Sequence, residues 1–214
     1  MMIDTAFLIT AFVTMFVVID PMGMAPLFVA LTQGMSRQRR RAIAVRSCVT
    51  GFILLLAFAA FGEKLLGFVG ISMPAFRVAG GILLFITALD MLFERRTKRR
   101  EDTSEEHGDD PSIFPLAIPL IAGPGAIASV ILLTGQKPGL AGLGIVAGIT
   151  LAVLLVVFVL FLASGLLERA LGKTGINVVT RLLGMLLAAL SVQFVLDGLR
   201  AFSFYEGLVL FCFC

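Results

Sequence analysis

The sequence predicts an all-α, polytopic membrane protein. Six transmembrane helices are expected, built as two inverted three-helix repeats with helices 1 and 4 discontinuous. Three observations lead there. Of the 214 residues, 59% are hydrophobic and 14% charged, and the mean hydropathy is +1.04, a composition that belongs in lipid. Two long apolar runs, one in each half, are interrupted by proline pairs with the same spacing: Pro21 and Pro26, then Pro119 and Pro124. Finally, Glu63-x-x-Leu66-Gly67-x-x-Gly70-Ile71-Ser72 matches Glu168-x-x-Leu171-Gly172-x-x-Gly175-Ile176-Asn177 without a gap.

The first span is expected over Ala6–Thr32, which exceeds the roughly 20 residues of one bilayer crossing. Its centre reads Asp20-Pro-Met-Gly-Met-Ala-Pro26. Each proline removes a backbone donor and crowds the preceding turn, so a helix is not expected to pass cleanly through. In hydrocarbon, freed backbone groups are tolerated only where they face protein or a polar cavity. Arg37, Arg39, Arg40, Arg41 and Arg46 then read as a dense basic loop. The second span is expected over Ser47–Phe61 and the third over Pro74–Phe93. A polar loop over 94–111 holds five basic residues, an acidic run and the single histidine, His107. The fourth span, Ser112–Thr134, carries the second interruption, Pro119-Leu-Ile-Ala-Gly-Pro-Gly125. The fifth, Leu140–Leu167, has no charge, and the sixth covers Val178–Phe202. Gly144-x-x-x-Gly148 and Gly184-x-x-x-Ala188 are small-residue faces suited to close helix packing. Residues 1–93 thus form the first repeat and 112–202 the second, leaving a peripheral tail over 203–214.

Basic residues crowd the exits of the odd-numbered spans, whereas the other loops carry little more than Lys64, Arg77 and Lys137. That alternation places the odd exits in the cytoplasm and both termini outside. Three spans per half is an odd number, so the second half inserts upside down relative to the first, as in secondary transporters. Arg77-x-x-Gly80 and Arg181-x-x-Gly184 continue the repeat, and Thr87 and Ser191 fall at the same distance beyond the two arginines. By proline alignment the counterpart of Asp20 is Ile118, so the two breaks differ in charge.

Several classes are set aside. No HExxH, Gly-x-Ser-x-Gly or phosphate-binding loop is present, so no catalytic residue, metal or cofactor is assigned. The basic residues are topology signals, not a nucleic-acid surface. Cys48, Cys212 and Cys214 have no disulfide or metal spacing.

Asp20-Pro-x-Gly-x-x-Pro26, Phe76-Arg-Val-Ala-Gly-Gly-Ile-Leu-Leu-Phe85 and Pro119-Leu-Ile-Ala-Gly-Pro-Gly-Ala-Ile127 make the chain similar to the MarC family. These are small six-span inner-membrane proteins of bacteria and archaea, some described as neutral amino acid transporters. The likeness runs from Phe7 to Phe202; the tail after Phe204 departs from it. It implies transport of small neutral amino acids such as glycine or alanine. The alternatives are an exporter of other small metabolites or drugs, and a structural membrane protein with kinked helices.

A site between the breaks follows from the residues. Gly123, Pro124, Gly125 and Ala126 start a half-helix whose N–H groups suit a carboxylate. Asp20, with carbonyls freed before Pro21 and Pro26, supplies acceptors for an ammonium group or a coupling proton or sodium ion. Pro119 shapes the second break, and Gly23 leaves room for close backbone approach. Thr87 and Ser191 are the polar side chains expected to reach substrate from spans three and six.

Overall fold

The computed structural model describes residues 5–93 and 111–212. Nearly all of this is helix: α1 (Thr5–Ile19), α2 (Pro21–Leu31), α3 (Arg37–Val69), α4 (Met73–Leu92), a wide proline segment (Ser112–Ile121), α5 (Pro124–Gln136) and α6 (Leu140–Cys212). The described residues contain no strand. Five helical stretches are long and apolar enough to cross a membrane: Thr5–Leu31, Arg37–Val69, Met73–Leu92, and the arms Leu140–Ser164 and Thr174–Phe202 of α6. The proline segment and α5, bent by 54°, make a sixth if counted as one span. The expected loop over 94–110, with His107, lies outside the described residues.

The arginine-rich stretch differs from expectation: it is helix, not loop. Ser36 accepts a hydrogen bond from the Arg39 N–H at 3.3 Å, capping α3 at its first turn. Arginine and alanine are good helix formers, so nothing interrupts the helix until Gly70. There a left-handed residue (φ 80°) closes α3, which glycine adopts without steric cost. Ser72 then caps α4 by accepting from the Ala75 N–H. In the second half the corresponding turn falls at Gly172 (φ 62°, ψ 175°). Gly172 aligns with Gly67 rather than Gly70, so the motifs repeat but the turns are offset. The backbone of the expected tail continues helically to Cys212.

Small residues decide which helices meet. A β-carbon on Gly81 would lie 2.7 Å from Val195 Cγ2 and 2.8 Å from the Ser191 carbonyl oxygen. One on Gly184 would lie 3.0 Å from Met91 Cβ, and one on Gly198 would lie 2.7 Å from Val78 Cγ2. These contacts run in opposite directions along the two helices, so α4 and the second arm of α6 pack antiparallel, backbone against backbone. Without a hydrophobic force between helices in lipid, this close approach is what holds them. A second α4 face meets α5: a β-carbon on Gly80 would sit 2.9 Å from Leu132 Cδ1. The proline segment packs on α3, where Ile121 fills the space over Gly51. Gly144 and Gly148 behave otherwise. No described residue lies within 4 Å of a β-carbon on either, and both are exposed, so this expected packing face meets no other helix among the described residues.

Overfilling the seam has a measurable cost. Gly81→Leu and Gly198→Leu are each expected to destabilise the folded protein by about 1–3 kcal/mol, the usual range for overpacking. Gly144→Leu is expected to be close to neutral. Thermal unfolding of purified protein in detergent, with one variant per sample, separates the two groups.

Candidate functional site

The first break is one residue wide. Asp20 has φ 56° and ψ 66°, the only positive φ at a non-glycine residue among the described residues. Proline at the next position disfavours the right-handed helical conformation here, so α1 stops at Ile19. Aspartate tolerates the left-handed region better than most residues. The Asp20 N–H still donates to the Phe16 carbonyl at 2.9 Å, and its own carbonyl accepts from Met24 N–H at 3.1 Å. One residue therefore ends one helical ladder and begins the next. Its Oδ1 accepts from Gly23 N–H at 3.1 Å, and the residue is 1% exposed. A β-carbon on Gly23 would collide with this carboxylate; the glycine is what lets Asp20 cap α2.

Pro26, expected to widen the break, lies inside α2. It removes the donor for the Met22 carbonyl without stopping the helix. Pro21, buried at the first position of α2, costs nothing there because that N–H is unpaired in any helix.

The second break is longer. Phe114 (φ −124°, ψ 126°) and Ile118 (φ −125°, ψ 127°) leave the helical region, each immediately before a proline, by the same steric rule as Asp20. The chain turns through Gly123, where a β-carbon would lie 2.5 Å from the Pro119 carbonyl oxygen. Gly123 is the N-cap of α5, and no side chain caps that helix. Pro124 occupies its first turn and Gly125 and Ala126 are buried in it. The Ser129 hydroxyl donates to the Gly125 carbonyl at 2.8 Å. The two helix starts thus differ: α2 has a carboxyl side chain accepting at its N-terminus, whereas α5 presents its first N–H groups and the positive end of its dipole with no side-chain acceptor.

The two breaks also come together. A β-carbon on Gly125 would lie 3.2 Å from Val18 Cγ1, 3.4 Å from Leu84 Cδ2 and 3.5 Å from Thr87 Oγ1. Val18 is two residues before Asp20, so the start of α5 meets the end of α1. Thr87 joins them from α4, its hydroxyl donating to the Leu83 carbonyl at 3.0 Å. Ser191 is placed elsewhere. It is fully buried, donates to the Ala188 carbonyl at 2.6 Å, and packs by its backbone against Gly81, on the face of α4 turned toward α6. Pro119 and Pro124 are exposed and act by bending the chain.

The sequence alone does not single out Val18, Leu84 or Ser129. Leu84 and Thr87 share a helical face with Gly80, and Ser129 is one turn beyond Gly125; that spacing is the signal that points to them. Thr14, on α1, is fully buried, and its hydroxyl has no hydrogen-bond partner.

Comparison with known proteins finds similar sequences along nearly the whole chain. The family model described as MarC family integral membrane protein matches residues 5–203. A UPF0056 membrane protein of Aquifex aeolicus is 38% identical over 90% of this chain and 92% of its own length. The UPF0056 inner membrane protein YhgN of Escherichia coli K12 is 36% identical, covering 90% and 96%. The UPF0056 membrane protein YvbG of Bacillus subtilis is 36% identical over 91% and 95%. No solved structure gives a significant match.

The cap makes a graded prediction. Asp20→Ala removes the acceptor for Gly23 and puts alanine in a left-handed conformation; about 1 kcal/mol for the cap and about 1–2 kcal/mol for the backbone are expected to be lost. Asp20→Asn keeps an acceptor oxygen and the tolerance, and is expected to unfold close to the wild-type temperature. Equal loss in both variants, read by thermal unfolding in detergent, would show that the carboxylate's charge, not its capping geometry, holds the break.

Proposed function

The chain belongs to the MarC family of integral membrane proteins, and on that premise we propose that it is a secondary transporter of small neutral amino acids. Glycine- or alanine-like substrates are held between the two helix breaks, within two three-helix halves inserted in opposite senses in the inner membrane, both termini outside. The observation that carries this reading is the meeting of a carboxylate-capped break with an uncapped one: Val18, two residues before Asp20, lies against Gly125 in the first turn of α5. A zwitterion has one charge for each. Its carboxylate takes the free N–H groups of Gly125 and Ala126, and its ammonium faces Asp20 and the Met22 carbonyl that Pro26 leaves without a donor. Val18, Leu84 and Thr87 close in on Gly125 within 3.2–3.5 Å of where a β-carbon would sit, so a substrate that reaches these N–H groups carries a small side chain.

Secondary transport fits the interrupted apolar segments in both halves and the lack of any nucleotide motif in the sequence. Asp20, the ionisable group at the break, is the candidate for carrying a coupling proton or holding a sodium ion.

Purified protein in liposomes is expected to take up labelled glycine or alanine, with accumulation dependent on a pH or sodium gradient. Gly125→Leu is expected to abolish uptake at unchanged insertion, because the added side chain fills the approach to the α5 N–H groups. Asp20→Asn separates two roles. If Asp20 couples transport to a gradient, the variant still exchanges substrate but no longer accumulates it. If Asp20 binds the substrate ammonium, exchange itself weakens. Wild-type uptake by Gly125→Leu would remove the α5 start from the substrate path.

A further inference from the structure

One group of side chains beyond the breaks ties together three helices. Phe28 of α2 and Phe161 of α6 stack with ring centroids 4.3 Å apart and planes 5° from parallel. Both are 0% exposed. The carbonyl of each ring-bearing residue accepts a hydroxyl from its own helix end: Thr32 Oγ1 donates to Phe28 O at 2.6 Å, and Ser164 Oγ donates to Phe161 O at 2.8 Å. Arg40 of α3 completes the set. Its Nη2 donates to Ser164 Oγ at 3.2 Å, and its guanidinium carbon lies 5.7 Å from the Phe28 ring centroid, within cation–π range. Arg40 is half-buried, whereas its neighbours Arg37, Arg39 and Arg41 are exposed.

The position of the group suggests its purpose. Phe28 lies about 12 Å beyond Asp20 along α2, at 1.5 Å per residue, toward the arginine-bearing start of α3. α2 is short, 11 residues. One end joins α1 through the single left-handed residue Asp20, a position where a change in two dihedrals swings a rigid helix. The other end is held by the phenylalanine stack. A helix with a one-residue joint at one end and a fastening at the other has the build of a gate. Arginine suits the fastening because its flat guanidinium can lie over a ring while its N–H groups reach a hydroxyl.

We propose that the Phe28–Phe161 stack, fastened by Arg40 and Ser164, closes the arginine-bearing face of the protein and must part for the helix breaks to be reached from that face. The purpose of such a gate rests on the transporter reading above; the barrier itself does not. At the opposite end of the α1–α2 span Lys137 Nζ lies 5.7 Å from the Phe7 ring centroid, and there Lys137 is exposed.

The test uses the full chain with Cys48→Ala, Cys212→Ser and Cys214→Ser, and Thr87→Cys as the reporter at the breaks. A membrane-impermeant maleimide is added to oriented vesicles from one face at a time. Labelling from the arginine-bearing face is expected to be slow in this parent and to rise about tenfold or more on adding Arg40→Ala or Phe161→Ala. Ser164→Ala, which keeps both rings, guards against simple misfolding and is expected to raise it by several-fold. Labelling from the other face stays unchanged. Three results would overturn the proposal: parent and variants label at one rate; both faces open equally; or Arg41→Ala, an exposed neighbour, matches Arg40→Ala. No substrate enters the assay, so a gate that responds as expected in a protein that takes up no amino acid would sink the transport reading alone. Unresponsive labelling beside intact uptake would sink the gate alone.

Discussion

In hydrocarbon a helix can be interrupted only where the protein itself meets the backbone groups that the interruption frees. Everything at the centre of this chain depends on how that condition is met at Asp20. The residue keeps a place in both ladders, as donor to Phe16 and acceptor from Met24, and adds its carboxylate to the Gly23 N–H. An interruption handled this way needs no widening of the helix and exposes almost nothing. It also puts a carboxylate at a buried helix start, where the dipole favours negative charge.

The second interruption meets the same condition differently. Two prolines force two extended residues, Phe114 and Ile118, and the chain resumes as α5 without a side-chain cap. Its carbonyl side is served by Ser129, its donor side by no side chain. Gly125 brings this helix start against the end of α1 at Val18, two residues before the carboxyl-capped start of α2. The two helix starts therefore differ chemically although a proline stands in the first turn of each.

Around the breaks the frame is stiff. α4 and the second arm of α6 approach at Gly81, Gly184 and Gly198 so closely that a methyl group would have to displace a neighbour. Helices in such close register cannot slide without giving up many small dispersion attractions at once. The short half-helix α2 is the contrast, set between a one-residue joint and an aromatic stack.

The membrane class was determined by the sequence alone, because 59% hydrophobic residues leave too little polar surface for a water-soluble body. So were the breaks, because proline's ring acts on the residue before it whatever surrounds them; Asp20 and Ile118 depart from helix for that local reason. Two local signals mislead. The arginines of 37–46 look like a loop when charge is treated as topology, yet a serine cap and good helix formers carry α3 through them. Pro26 looks like a second breaker, yet its neighbours confine the break to one residue. Tertiary structure decided the rest. Helical periodicity assigns a residue to a face but not the face to a partner. Thr87 and Ser191 look equivalent along the chain, yet one lies beside Gly125 while the other is buried in the α4–α6 seam. Gly144 and Gly148 have the spacing of a packing face and meet no other helix among the described residues, while Gly81 and Gly198, with no such spacing, bring α4 and the second arm of α6 together. Arg40 is indistinguishable from its neighbours in sequence, and only the arrival of Phe161 and Ser164 from the other half of the chain sets it apart.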